Sequence, residues 1–163
     1  MHILLLGHGA AAPRLTAIAT ALKTIPGAFT SCYFDGDLDK INEKRGLPRA
    51  DFMLIGLSRA SRDNKSAAHA VEADLVHRAS QLTPPMYCGL MCDEDGHISA
   101  PFLAQLGSTI RLVVAHKQNF DCNITEMCER AEPLYVPNVV ADAAVISQAI
   151  YDIVRPPAMR ASA

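Results

Sequence analysis

The chain has 163 residues, half of them apolar, which suits one domain burying roughly two-thirds of the surface of its extended form. With 15 basic against 17 acidic residues and a formal charge of −2, the scattered basic side chains argue against nucleic acid or an anionic membrane as principal partner. No apolar run approaches the ~20 residues that cross a bilayer, Met1-His2 lacks the charged lead of a signal peptide, and the five cysteines form no Cys-x-x-Cys pair, so a soluble, cytoplasmic protein with free thiols is expected.

The apolar run Ile3-Leu4-Leu5-Leu6 predicts a buried strand over 2–6 that delivers Gly7-His8-Gly9-Ala10-Ala11-Ala12 to a helix behind Pro13, with Leu15, Ile18, Leu22 and Ile25 as its stripe. Free N–H groups and the positive end of a helix dipole meet at such a junction, a seat for phosphate or carboxylate. Gly7-x-Gly9-x-x-Ala12 also satisfies the relaxed dinucleotide pattern, and Asp35, ending a second strand over 29–35, stands where a ribose hydroxyl of an NAD(P) cofactor would be bound. The turn Asp35-Gly36-Asp37, with Asp37 capping a short helix that stops at Gly46, accounts for Asp35 equally well. His8, between two glycines, is either a general base or a loop residue that shapes the turn.

A third strand over 51–57 runs into Ser58-Arg59-Ala60-Ser61-Arg62, whose hydroxyls and guanidinium groups suit an anion. The clearest helical stripe follows, Ala68, Val71, Leu75, Ala79 and Leu82, closed by Pro84-Pro85, with His69, Glu72 and His77 expected on the solvated face. The strand over 86–92 carries Cys88 and Cys92 as core residues, with a zinc site from Cys88, Cys92 and His97 as the alternative. It ends in Asp93-Glu94-Asp95, either a cation- or sugar-binding loop or a solvated cap. Ser99, Pro101 and Gly107 frame a helix, and a strand over 110–115 ends in His116-Lys117-Gln118-Asn119. A helix over about 123–131, a strand over 133–137 and a helix from Asp142 through Ile153 complete residues 1–154, and residues 155–163 are expected to form a flexible tail.

Six strand–helix pairs in alternation predict a doubly wound, mostly parallel, Rossmann-like α/β sheet with helices on both faces. Ligands of such sheets bind at the carboxyl ends of the strands, which selects Gly7, Gly9, Ser58, Arg59, Ser61 and His116 as binding residues for an anionic small molecule and His8 with Asp93 as candidate catalytic groups. The segment Ile3–Gly9 resembles the opening of the small class II metal chelatases of tetrapyrrole synthesis, which would give His8 a role with the metal and the pyrrole protons. Over residues 50–140, the strand Ala50-Asp51-Phe52-Met53-Leu54 ending at Gly56-Leu57-Ser58, the strand ending at Cys92-Asp93 and the late strand ending near Pro137-Asn138 resemble the N-terminal half of GT-B-type glycosyltransferases. That resemblance implies a nucleotide, sugar-nucleotide or other phosphorylated ligand, and a second half-site supplied by self-association or a partner subunit, because such enzymes hold the sugar nucleotide mainly on a second half. No particular cofactor follows from either reading.

Overall fold

In the computed structural model, which describes residues 1–35, 37–38, 48–82, 86–116 and 130–155, the apolar runs become β1 (His2–Gly7), β2 (Phe29–Phe34), β3 (Phe52–Gly56), β4 (Tyr87–Met91), β5 (Ile110–Ala115) and β6 (Glu132–Tyr135). All five strand pairings are parallel, in one sheet of order β2-β1-β3-β4-β5-β6. The expected doubly wound, Rossmann-like architecture is present. Its order is that of the flavodoxin-like branch of doubly wound sheets, not the 3-2-1-4-5-6 order of dinucleotide-binding sheets. The chain leaves β1 toward β2 and then crosses to β3 on β1's other side, so the topological switch lies between β1 and β3.

The described helices are α1 (Ala12–Leu22), α2 (Ala67–Ser80), α3 (Ala100–Leu106) and α4 (Ala143–Val154). Their ends follow the sequence signals. Pro13 sits in the first turn of α1, the Ser66 hydroxyl accepts from the His69 amide at α2, and the Ser99 hydroxyl accepts from the Phe102 amide at α3, which ends on Gly107 at φ +45°. Most of the short helix expected between Asp37 and Gly46, nearly all of the one over 123–131, and residues 156–163 of the tail lie outside the described residues.

Because strand side chains alternate, the continuous apolar runs divide cleanly into two cores. Leu4, Leu6, Met53, Ile55, Leu90 and Val113 face Leu75, Val76, Phe102 and Leu103 of α2 and α3. Ile3, Leu5, Phe52, Leu54, Leu112 and Val114 face Leu15, Ile18, Ile146 and Ile150 of α1 and α4. Gly7 and Gly56 are paired neighbours across β1 and β3, and a Cβ on Gly7 would stand 2.9 Å from Leu15 Cδ1 and 3.1 Å from Ala11 Cβ. These two glycines let the start of α1 settle directly on the sheet at the switch point. Among the described residues no helix is long and apolar enough to cross a membrane. The expectation of free thiols holds for Cys32, Cys88 and Cys92, with Cys88 and Cys92 buried as anticipated, while Cys122 and Cys128 lie outside the described residues.

Candidate functional site at the carboxyl edge of the sheet

The glycine turn after β1 presents the amide of Gly9, and a carboxylate of the chain itself takes it. Asp35, just past β2, accepts that N–H at 2.7 Å through Oδ1, and the same oxygen lies 3.5 Å from His8 Nε2. A Cβ on Gly9 would come within 2.5 Å of Asp35 Oδ2, so Gly9 is where the two segments touch. Asp35 adopts φ +47°, a left-handed conformation that Asp tolerates better than most residues. The anion seat read from the sequence is thus occupied by Asp35. Gly7 serves the packing of α1, and His8 lines the turn with its Nδ1 buried and without a hydrogen-bond partner among the described residues.

At the end of β3, Ser58 is fully buried and donates through both its amide and its hydroxyl to Oε1 of Glu72, each at 2.8 Å. Glu72 is fully buried too, contrary to its expected place on the solvated face of α2. The reason is helical phase: Glu72 is one turn from Ala68 and from Leu75 and Val76, all buried, and joins the stripe that covers the sheet. Burial raises its carboxyl above the ordinary carboxylate range, with the hydroxyls of Ser61 and Ser58, the Ser58 amide and the charge of His8 pulling it back down. Its Oε2 has no hydrogen-bond partner among the described residues. The Ser61 hydroxyl donates to Ser58 O at 2.8 Å, and the Ser61 carbonyl lies 2.8 Å from His69 Nδ1, so His69 belongs to this turn and is not simply solvated. Arg59 is largely exposed and reaches Asp95 at 3.4 Å, away from the switch point, while its amide donates to Glu94 at 2.7 Å.

Asp93, after β4, is nearly inaccessible, and its carboxylate accepts four hydrogen bonds. Arg62 grips it through Nε at 2.8 Å and Nη2 at 2.9 Å, and the amides of Asp95 and His97 donate to Oδ1 at 2.9 and 3.0 Å. Burial disfavours its charge, but the Arg62 hydrogen bonds and those of the two amides prevail and hold it below the usual carboxylate range. This geometry makes Asp93 the clasp between the Arg59–Arg62 turn and the loop after β4. Oδ1 accepts three of these hydrogen bonds and Oδ2 one, so the carboxylate expected as a catalytic group is here largely committed to holding the two loops together.

The cleft on this edge opens further along, over the ends of β4, β5 and β6. It encloses about 240 Å³, and its walls include Arg14, Cys92, Asp93, His116, Val136, Asn138 and Val139. Arg14 comes from the first turn of α1 and donates to the carbonyls of Leu57, at 2.8 Å, and Cys92, tying α1 to the ends of β3 and β4. Its Nε is buried without a hydrogen-bond partner among the described residues, as is Nδ1 of His116. Asn138 folds its side chain onto the amides of Val140 and Ala141 at 3.1 and 3.2 Å, shaping the approach to α4. Cys92 shares the wall, yet burial pushes its thiol up to about 11 in spite of nearby Arg14.

Of the residues selected by sequence, the cleft wall includes Asp93 and His116. Gly7, His8, Gly9, Asp35, Ser58 and Ser61 instead surround the switch point beside it, and Arg59 faces outward. No group of three or more His, Cys, Asp or Glu side chains among the described residues is placed to hold a metal ion. Two residues that sequence reasoning passed over, Arg14 and Glu72, are central. The available signals were an arginine inside the first turn of a helix that starts at the sheet edge and a carboxylate in phase with an apolar stripe. Comparison with known protein families, curated proteins and solved structures finds no match to this chain.

Proposed function

We propose that this chain binds a small phosphorylated or otherwise anionic molecule in the cleft over β4, β5 and β6. The observation that carries the reading is the Arg14 guanidinium, held in the cleft wall by two carbonyls, with an unpartnered Nε and no carboxylate partner among the described residues. A partly buried cation bonded only to neutral groups favours an anionic guest, and guanidinium to phosphate is a strong, charge-assisted pairing. His116, whose Nδ1 has no hydrogen-bond partner among the described residues, stands on the same wall. The two acidic residues of that wall are already engaged, Asp93 by Arg62 and Glu94 by the Arg59 amide. Valines 136 and 139 offer an apolar surface for the body of the ligand.

Size favours the smaller phosphorylated classes. A space of about 240 Å³ falls below the ~300–1,000 Å³ of sites for drug-sized ligands, which favours a sugar phosphate or small phosphorylated acid over a dinucleotide. Asp35 in the glycine turn argues the same way, because it holds the place a pyrophosphate would take. In keeping with the resemblance over residues 50–140, a second copy or a partner subunit covering the open side of the cleft completes the proposal. The free thiols of Cys32, Cys88 and Cys92 support a reducing compartment such as the cytoplasm.

Thermal unfolding with inorganic phosphate, a pentose phosphate, a nucleoside monophosphate and NAD tests the reading. A ligand at 100 times its Kd stabilises by about 2.7 kcal/mol, and we expect that for a monophosphate and not for the dinucleotide. His116→Ala should reduce the shift. No shift with any monophosphate, or an unchanged shift in His116→Ala, would overturn the assignment.

A further inference from the structure

We propose that Ser31 is a nucleophile with His2 as its general base, and that this pair accepts acyl groups from small activated esters. The pair lies toward the amino edge of the sheet, and it does not depend on the anion cleft at the carboxyl edge. His2 opens β1 and Ser31 stands on the neighbouring β2, in a register that pairs His2 with Phe29 and Leu4 with Ser31. His2, Phe29 and Ser31 therefore share one face of the sheet. His2 Nε2 lies 2.9 Å from Ser31 Oγ, and its Nδ1 lies 3.0 Å from the carbonyl oxygen of Arg49. A carbonyl only accepts, so Nδ1 carries the hydrogen. The lone pair of the neutral ring is then on Nε2, where it accepts the Ser31 hydroxyl. Nucleophile, base and orienting acceptor thus stand in the order that acyl transfer requires.

His2 is held on its other sides as well. The Asp51 carboxylate accepts the His2 amide at 2.7 Å, and the Asp51 amide donates to the His2 carbonyl at 2.9 Å. Phe29 stacks on the imidazole, with ring centroids 4.3 Å apart and planes 12° apart. Phe29 is 57% exposed, which gives a short acyl chain an apolar surface beside the pair. The Phe29 amide donates to the Met1 carbonyl, so the alternate amides of Thr30 and Cys32 point to the outer side of β2, where no described strand pairs. These N–H groups flank Ser31 in the chain and serve the oxyanion of the transfer. Ser31 Oγ bonds to the ester carbonyl carbon as its proton passes to Nε2, and the leaving alkoxide or phenolate takes that proton as its bond to carbon breaks. Water repeats the exchange on acyl-Ser31, returning serine and the free acid. Both side chains are only partly buried, so water competes for the oxyanion, which restricts the substrates to esters with good leaving groups.

Labelling of the intact chain with an alkyl fluorophosphonate, followed by peptide mapping, tests the assignment, with the urea-unfolded chain as reference. Attack by Ser31 on this probe forms an oxygen–phosphorus bond and expels fluoride. We expect one adduct per chain, on Ser31, formed much faster in the folded than in the unfolded chain. Loss of the base in His2→Gln should slow that labelling about a hundredfold, whereas a serine that is merely exposed would label at the same rate. Turnover of p-nitrophenyl acetate by the unmodified chain should fall in step with formation of the adduct. An adduct elsewhere, labelling of Ser31 no faster than in urea, or full ester turnover after stoichiometric modification would overturn the proposal. These three outcomes are read on the unmodified sequence, so they stand even if His2→Gln fails to fold.

Discussion

Glu72 meets two opposed demands, since burial disfavours its charge while Ser58 requires an acceptor. Truncation to alanine strands the Ser58 amide and hydroxyl in the interior, and buried donors left unsatisfied cost about 1–3 kcal/mol. Glu72→Ala should therefore lower the urea midpoint clearly, whereas Glu72→Gln, which keeps the acceptor, should not. The pH dependence has a definite sign. A carboxyl raised above its ordinary 4.5 in the fold binds its proton more tightly folded than unfolded, so stability falls as pH rises from about that value through the folded pKa. Glu72→Gln removes the penalty, and the variant should gain on the parent as pH increases. Asp93 behaves oppositely: held below 3.8, it stabilises above that pH, and its contribution is lost as pH falls through the folded value. Arg62→Ala removes the bidentate grip but leaves two amide donors, and Arg62 is 39% exposed, so a loss of about 1–2 kcal/mol at neutral pH is expected. That loss should shrink on acidification, read from unfolding curves at neutral and acid pH.

At the scale of elements, the close seat of α1 on the sheet is the feature most open to test. A methyl on Gly7 would stand 3.1 Å from both Ala11 Cβ and the carbonyl of Gly56, and 2.9 Å from a methyl of Leu15. Overpacking of this kind costs about 1–3 kcal/mol, and Gly7→Ala should lower the thermal midpoint accordingly. Because Leu15 is one of the clashing groups, Gly7→Ala combined with Leu15→Ala should be less destabilised than the sum of the two changes. The strands and helix ends here were legible in the sequence because apolar runs, Pro13, Ser99 and Gly107 report local physics. Strand order was not legible, since nothing in β2 or β3 alone says on which side of β1 each will pair. The edge rule likewise located Ser58, Asp93 and His116 but not their partners. Glu72 was missed because the stripe through Val71 and Leu82 is phased slightly off the observed one through Glu72 and Val76, and a shift of one position moves a residue from solvent to core.

For the whole molecule, the two cores meet at the central strands, so the side chains of β3 and β4 should be reached only when the sheet as a whole opens. Cys88 and Cys92 report this directly. Cys88 has no accessible surface and lies against Thr109, and Cys92 is 3% accessible. The rise of the Cys92 thiol from 9.0 to about 11 leaves about a hundredfold less thiolate, the reactive form, at a given pH below both values. Cys32, on the edge strand β2, is only half-buried, although burial raises its thiol as well in spite of nearby Lys23. Native-state alkylation followed by peptide mapping should therefore modify Cys32 ahead of Cys88 and Cys92, with the latter two reacting together at a rate set by global unfolding. A ligand that seats in the cleft beside Cys92 should slow the labelling of both, because it stabilises the closed sheet by mass action. Labelling of Cys92 well ahead of Cys88 would mean that the β4 end opens locally, and the clasp of Arg62 on Asp93 would then not govern that edge.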